Sequence, residues 1–205
     1  MLAKASTALP SADFILGDVS TFEPTEQPDL LFSNAVFHWL RTSTRIPTLL
    51  RLFQTLPSGG VLSIQMPDNY DEPSHRAMRD TASMPSKPWS QYFEQSQPGN
   101  SNHEQRPDLD PIEPLATYYD DFIPHSSTVN VWRTSYHHVL KDAGAIVEWI
   151  KGTGLQPFLN LIGDEEAKKA YLVEYERKLK DSYPTRADGK VLLVYPRFFL
   201  VAVKK

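Results

Sequence analysis

The 205-residue sequence predicts an α/β fold, and three observations carry that expectation. The apolar run Asp29 to Asn34, the helix-spaced segment Thr44 to Leu56 and the apolar run Val61 to Met66 follow one another as strand, helix, turn and strand. Short apolar runs close on polar or turn residues at Gly17-Asp18-Val19, Ser33-Asn34-Ala35 and Gln65-Met66-Pro67-Asp68, where an open α/β sheet binds its ligands. With 40% hydrophobic and 22% charged residues and a net charge of −4, the chain can bury the core of a single domain and lies far from the composition of a disordered one.

Taken in order, the Ala-rich start from Met1 to Leu9 predicts a helix ending at Pro10, and Phe14-Ile15-Leu16 a short buried strand. A second strand spans Asp29 to Asn34. In the helix that follows, Ile46, Leu49, Leu50, Phe53 and Leu56 recur at helical spacing, with Thr44 as N-cap and Pro47 in the first turn. Gly59 and Gly60 end it and Val61 to Met66 forms a third strand. Ser83 to Pro114 is rich in Pro, Ser, Gln and Asn with little periodicity, which predicts a long insertion within the domain, suited to be a mobile lid. Beyond it come a strand over Thr128 to Tyr136, with Val129 and Val131 on one face, and a helix over Ala143 to Lys151. Leu155 to Ile162 fits either structure. Asp164 to Ser182 is a helix with a buried stripe of Tyr171, Tyr175 and Leu179 and with Glu165/Lys169, Glu174/Lys178 and Glu176/Lys180 four residues apart. After the Asp188-Gly189 turn, Lys190 to Val203 reads as a terminal strand or strand pair, with Pro196 marking an edge or a bulge.

Several functional classes fall away. The absence of Cys excludes disulfides, thiolate metal sites and a cysteine nucleophile. The six histidines include no pair four residues apart, and the common zinc, phosphate-loop and nucleophile-elbow motifs are missing, so no metal is expected. The acidic balance argues against nucleic acid as a partner, and the longest apolar run, broken by Pro196 and Arg197, against a membrane. A soluble, cytoplasmic protein is the expectation, with its oligomeric state open.

Six phrases in one order are more specific: SNAVFHWL, QMPDNYDEPSH, VWRTSYHHVL, WIKGTGLQPFL, YPTRADGKVLL and PRFFLVA. Together they resemble the trans-aconitate methyltransferase family of class I S-adenosylmethionine-dependent methyltransferases. The resemblance runs along the whole chain apart from the insertion. It implies a Rossmann-like sheet and S-adenosyl-L-methionine as cofactor. The implied reaction is methyl transfer to a carboxylate of a small polycarboxylic acid, with that acid as the only expected partner.

Residue by residue, the resemblance places Asp18 on the adenine amino group and the backbone of Val19 against the ring. It places Asn34 and Ala35 near the methionine end. Each has a plain alternative, a strand-end cap for Asp18 and an Asn turn at position 34. No catalytic base is implied, because a carboxylate with a pKa of about 4 is already ionised. Arg133 is the expected partner for the substrate's remaining carboxylates, since Arg binds them in a bidentate fork. Tyr136, His38 and Trp39 follow as donors or pocket wall, against the alternatives of a solvated strand Arg, a core Trp and a surface or helix-start His. Members of the family begin with a strand, a GxGxG loop, a helix and a second strand with an acidic tip. Met1-Leu2-Ala3 matches the helix just after that strand, so the sheet is expected to be N-terminally incomplete, with its first two strands missing. The alternative is therefore a truncated, catalytically inactive methyltransferase-like protein that does not bind the cofactor.

Overall fold

The computed structural model describes residues 2–205. In chain order the elements are α1 (Leu2–Ala8), β1 (Leu30–Asn34), α2 (Thr42–Gln54), β2 (Val61–Pro67), α3 (Pro73–Ala82), α4 (Leu115–Phe122), β3 (Ser126–Leu140), α5 (Ala143–Lys151), α6 (Gln156–Leu161), α7 (Glu165–Ser182) and β4 (Val191–Lys204). Single 3-10 turns occur at Phe37–Trp39, Ser90–Tyr92 and Ile123–His125. The strands form one sheet in the order β1-β2-β4-β3. β1 and β2 are parallel and joined by α2, as a parallel pair requires, whereas β4 runs antiparallel to both of its neighbours.

The two long strands serve two cores. Val191 and Leu193, at the start of β4, pack with α3, α5, α6 and α7, while Phe198, Leu200 and Ala202, at its end, pack with α2, α4 and the buried face of β2. Successive strand residues point to opposite faces, so this change from odd to even positions puts the two helical layers on opposite sides of the sheet. Leu49, Phe53 and Leu56 carry the expected stripe of α2 into the second core. Tyr171, Tyr175 and Leu179 of α7 are fully buried, as their spacing predicts. The tyrosine hydroxyls also settle α3: Tyr171 donates to the Met78 carbonyl (3.0 Å), Tyr175 donates to the Ser74 carbonyl (3.1 Å), and Tyr183 accepts from the Ser74 N–H (3.1 Å).

Several expectations need correction. Phe14-Ile15-Leu16 is not a strand; it pairs with no part of the sheet, and Ile15 and Leu16 are 69% and 86% exposed. Without a paired strand its β-favouring residues form no ladder. Helix α2 begins at Thr42, two residues before Thr44, because its first N–H is capped from far along the chain: the Asp110 carboxylate accepts from the Thr42 N–H (2.6 Å) and hydroxyl (2.8 Å). Pro47 therefore lies within the helix rather than in its first turn. The C-terminal segment is one central strand, not a pair, and Pro196 lies inside it. The position tolerates proline because the last β2 partner is Pro67, opposite Arg197; beyond it the Pro196 carbonyl accepts from the Asp68 N–H (3.0 Å), and the missing donor falls where that ladder ends. Leu155 to Ile162 resolves as helix α6. Of the three charge pairs expected on α7, Glu176 and Lys180 meet (2.7 Å), while Lys169 pairs with Glu166 and Glu174 with Arg177. The opening helix has its expected end, although Met1 lies outside the described residues.

Part of one face of the sheet, at the β1 side, is left bare. Leu30 and Phe32 of β1 are 56% and 69% exposed, and the outer edge of β1 pairs with no strand among the described residues. On the same face Trp132 stacks on Phe199 with ring centres 5.0 Å apart, and Trp132 stays exposed. An unpaired edge with exposed apolar residues is a template for association. The chain is expected to scatter light at micromolar concentration, and Phe32→Lys, which gives up little buried area, to lower the scattering without lowering the melting temperature; scattering equal to that of the parent would show that this face is not responsible.

Candidate functional site

The carboxyl ends of β1 and β2 shape the site. Ala35, just past β1, has φ +57°, a conformation that costs an L-residue about 1–2 kcal/mol, and its N–H donates to the Gln65 carbonyl (2.8 Å). This strained corner turns the chain from Asn34 into the Phe37–Trp39 turn. Beyond β2, Asp68, Asn69 and Tyr70 lead into α3. Between the two ends opens a cavity of about 630 Å³, counting the space at its mouth. Its polar lining includes His38, Trp39, Asn69, Tyr70, His75, Arg79, Asp108, Asp110 and Thr153, with Met78, Ile112, Gly154, Phe158 and Tyr195 among the remaining walls. A Cβ at Gly154 would lie 3.3 Å from His75 Nε2, a tight contact at this wall of the cavity.

A stapled loop makes the far wall. Asp108, Leu109, Asp110 and Ile112 from the 83–114 insertion line the cavity, and Trp89 and Phe93 of the same insertion are buried in the core. Arg41, at the start of α2, donates to the carbonyls of Glu104, Arg106 and Asp108 and to the Asp110 carboxylate. Arg106, nearly buried, also pairs with Asp110 and donates to the Ser101 and His103 carbonyls. Burial alone would raise the Asp110 pKa, but the Thr42 N–H and hydroxyl and the Arg41 and Arg106 guanidiniums outweigh it and hold it below the usual value. Arg45, with no exposed surface, donates to the carbonyls of Phe37, Leu40 and Pro111 and to Glu113 (2.7 Å), whose carboxylate also accepts from the Tyr118 hydroxyl.

Both imidazoles in the cavity stay neutral. Burial pushes the His38 pKa down to about 4, helped by Arg45 and Arg197; burial pushes His75 down to about 3, helped by Arg79 and His38. The His38 Nδ1 and Asn69 Oδ1 are buried with no hydrogen-bond partner.

Of the residues expected to serve the substrate, His38 and Trp39 line the cavity and Arg133 and Tyr136 do not. Arg133 pairs with the Asp68 carboxylate and donates to the Glu113 carbonyl (3.3 Å). Tyr136, 41% exposed, lies near His138 and Arg197. Of the residues expected to serve the cofactor, Asp18 is fully exposed; the Ser20 hydroxyl and N–H bind its Oδ1 (2.7 and 2.8 Å) and lower its pKa, and its Oδ2 has no partner among the described residues. The turn that carries Asp18 and Val19 is tied to α2 by Arg51, which donates to the carbonyls of Val19, Ser20 and Phe22. Asn69, His75 and Arg79 were not singled out in sequence, although Asn69 and His75 fall within the phrase QMPDNYDEPSH. Among the described residues no cluster of His, Asp and Glu could hold a metal ion, and no helix is long and apolar enough to cross a membrane.

An α/β sheet with a polar cavity at the carboxyl ends of its parallel strands is the architecture of a small-molecule binding protein or enzyme. The chain is 44% identical over 205 residues to a trans-aconitate 2-methyltransferase of Agrobacterium fabrum, covering all of this chain and 75% of the relative. It is also 44% identical to one of Variovorax paradoxus, covering all of this chain and 74% of that one. It therefore belongs to the trans-aconitate 2-methyltransferase family of S-adenosylmethionine-dependent methyltransferases. Coclaurine N-methyltransferase, solved with N-methylheliamine and S-adenosylhomocysteine, superimposes over 98% of this chain and 56% of its own with a TM-score of 0.42 and 16% identity. No family model matches the chain.

Two stability predictions follow from the buried charges. Glu113→Gln strands the Arg45 guanidinium without a carboxylate and should cost about 3–5 kcal/mol in urea unfolding; a loss within experimental error would mean that the neutral carbonyls suffice. In the unfolded chain His38 and His75 take up protons near pH 6.5, but folded they do so only at about 4 and 3. The unfolded state then binds more protons below pH 6.5, so their contribution is complete above that pH and falls by roughly 1.4 kcal/mol per pH unit per histidine as pH drops toward 4. The variant His38→Gln/His75→Gln should show a shallower decline between pH 7 and 5, and an equal decline would contradict the assignment.

Proposed function

We propose that this chain transfers a methyl group from S-adenosyl-L-methionine to one carboxylate of a small polycarboxylic acid such as trans-aconitate. The observation that carries this reading is the 44% identity to the Agrobacterium fabrum relative over all 205 residues. The cavity supports it, because His38, Trp39, Asn69, Tyr70, His75 and Arg79 bring hydrogen-bonding groups to its lining.

For the cofactor, the free Oδ2 of Asp18 can accept an amino donor, and the Arg51-held Val19 and the strained Asn34-Ala35 corner offer backbone and amide groups. The family resemblance assigns these four residues to the adenine and methionine ends of the cofactor. Bound S-adenosylmethionine supplies a methyl group made electrophilic by its sulfonium. The chain's own task is to hold a carboxylate oxygen in line and to keep water from solvating it. His38 and Trp39 wall the cavity from the end of β1, and the 83–114 insertion closes the far wall through Asp110 and Ile112. Arg133 acts at one remove, fixing Asp68 between the cavity residues Pro67 and Asn69. Tyr136 supports Tyr195, its partner in the β3–β4 register, which lines the cavity.

The test supplies S-adenosylmethionine and trans-aconitate and follows the methyl ester by mass. Because the nucleophile is ionised well below neutral pH, with a pKa of about 4, the rate at saturating substrate should be flat from about pH 6.5 to 9. No ester from any polycarboxylate would overturn the proposal, and a rate rising steeply with pH would overturn the base-free mechanism.

A further inference from the structure

One guanidinium at the cavity has no carboxylate of its own. Arg41 and Arg106 are bound to Asp110, Arg45 to Glu113 and Arg133 to Asp68. Arg79 of α3 lines the cavity and pairs with no Asp or Glu among the described residues. Its Nη2 donates to the Tyr70 carbonyl (2.8 Å) and its guanidinium lies 3.9 Å from the centre of the Tyr70 ring. Gly99, at φ +84°, packs against its stem, so that a Cβ there would sit 3.7 Å from Arg79 Cδ. The head group is thus held by Tyr70, with most of its five donors uncommitted.

Two buried groups complete the surroundings. His38 Nδ1 and Asn69 Oδ1 line the same cavity without partners, though their side chains are only 8% and 6% exposed. An amide flip turns the Asn69 NH₂ to that position, so both can donate. Leaving buried polar atoms unpaired is costly, and a ligand that accepts hydrogen bonds removes that cost. Of the two aspartates of the wall, Asp110 is saturated by Arg41, Arg106 and Thr42, while Asp108 accepts from the Gly99 N–H at Oδ1 and its Oδ2, without a hydrogen bond, faces the Arg106 Nε at 3.6 Å, so each has a guanidinium other than Arg79 beside it.

We propose that Arg79, Asn69 and His38 form a carboxylate subsite that anchors a carboxylate of the substrate other than the one methylated, with Arg79 as its bidentate partner. The proposal rests on the methyltransferase reading above and replaces Arg133 with Arg79 as the direct charge partner. Arg133 is already occupied by Asp68, whereas an Arg free in a cavity gains a partner only from a ligand.

Binding of trans-aconitate to the 205-residue chain, measured by calorimetry or by chemical-shift titration, tests the assignment. Arg79→Gln should weaken binding about 10- to 100-fold, the range of a lost charged hydrogen bond. Arg79→Lys should weaken it less, and Arg76→Gln, which removes an exposed arginine from the same helix, should change it less than about twofold. Recovery of binding by Arg79→Ala in millimolar guanidinium chloride would separate a lost anchor from a distorted helix. Tight binding by Arg79→Gln, or equal losses in Arg79→Gln and Arg76→Gln, would overturn the subsite while leaving the methyltransferase reading intact. A parent chain that binds no polycarboxylate would overturn that reading and the subsite with it.

Discussion

The Arg45 guanidinium has no contact with solvent, yet it reaches four backbone or side-chain acceptors from two distant parts of the chain. From α2 it holds the Phe37 and Leu40 carbonyls, which bracket the turn bearing His38 and Trp39. It also holds Pro111 and Glu113, which flank Ile112 at the end of the insertion. One buried cation therefore sets the distance between two walls of the cavity. A buried charge of this kind adds little net stability, because desolvation offsets its Coulomb attraction, but breaking it is costly. Its value lies in allowing one arrangement of those walls. Arg41 repeats the device at the first residue outside α2, where it and Arg106 gather the loop onto Asp110 and so complete the N-terminal cap of the same helix.

Elements whose burial is decided locally could be read from the sequence. The stripes of α2 and α7 and the short strands at Leu30 and Val61 are set by apolar spacing and by turns at their ends, and they fall within a few residues of expectation. Elements decided by a distant partner could not. Phe14-Ile15-Leu16 has strand-like residues but pairs with no strand of the sheet. The start of α2 depends on Asp110, and the tolerance of Pro196 depends on where β2 stops. Local propensity carries no record of such partners.

The site divides in the same way. His38 and Trp39 were accessible because they follow directly after a strand end, and topology alone places such residues at the ligand side of the sheet. The chemistry of a guanidinium suits Arg133 to a carboxylate, but Asp68 claims it, and only the three-dimensional structure reveals the pairing. Arg76 and Arg79 look alike on paper, both helical and three residues apart. In the fold one is exposed beside Asp71, and the other is folded over Tyr70 in the cavity wall. Burial, helped by neighbouring arginines, keeps His38 and His75 uncharged.

The central claim is that polycarboxylates occupy this cavity, and the two histidines report on it directly. Nitrogen-detected NMR of the imidazoles, with and without trans-aconitate, should show the His38 and His75 signals shifting on addition and their protonation midpoints moving upward from about 4 and 3, because a nearby anion favours the charged ring. Saturating trans-aconitate that left both signals and both midpoints unchanged would contradict the account.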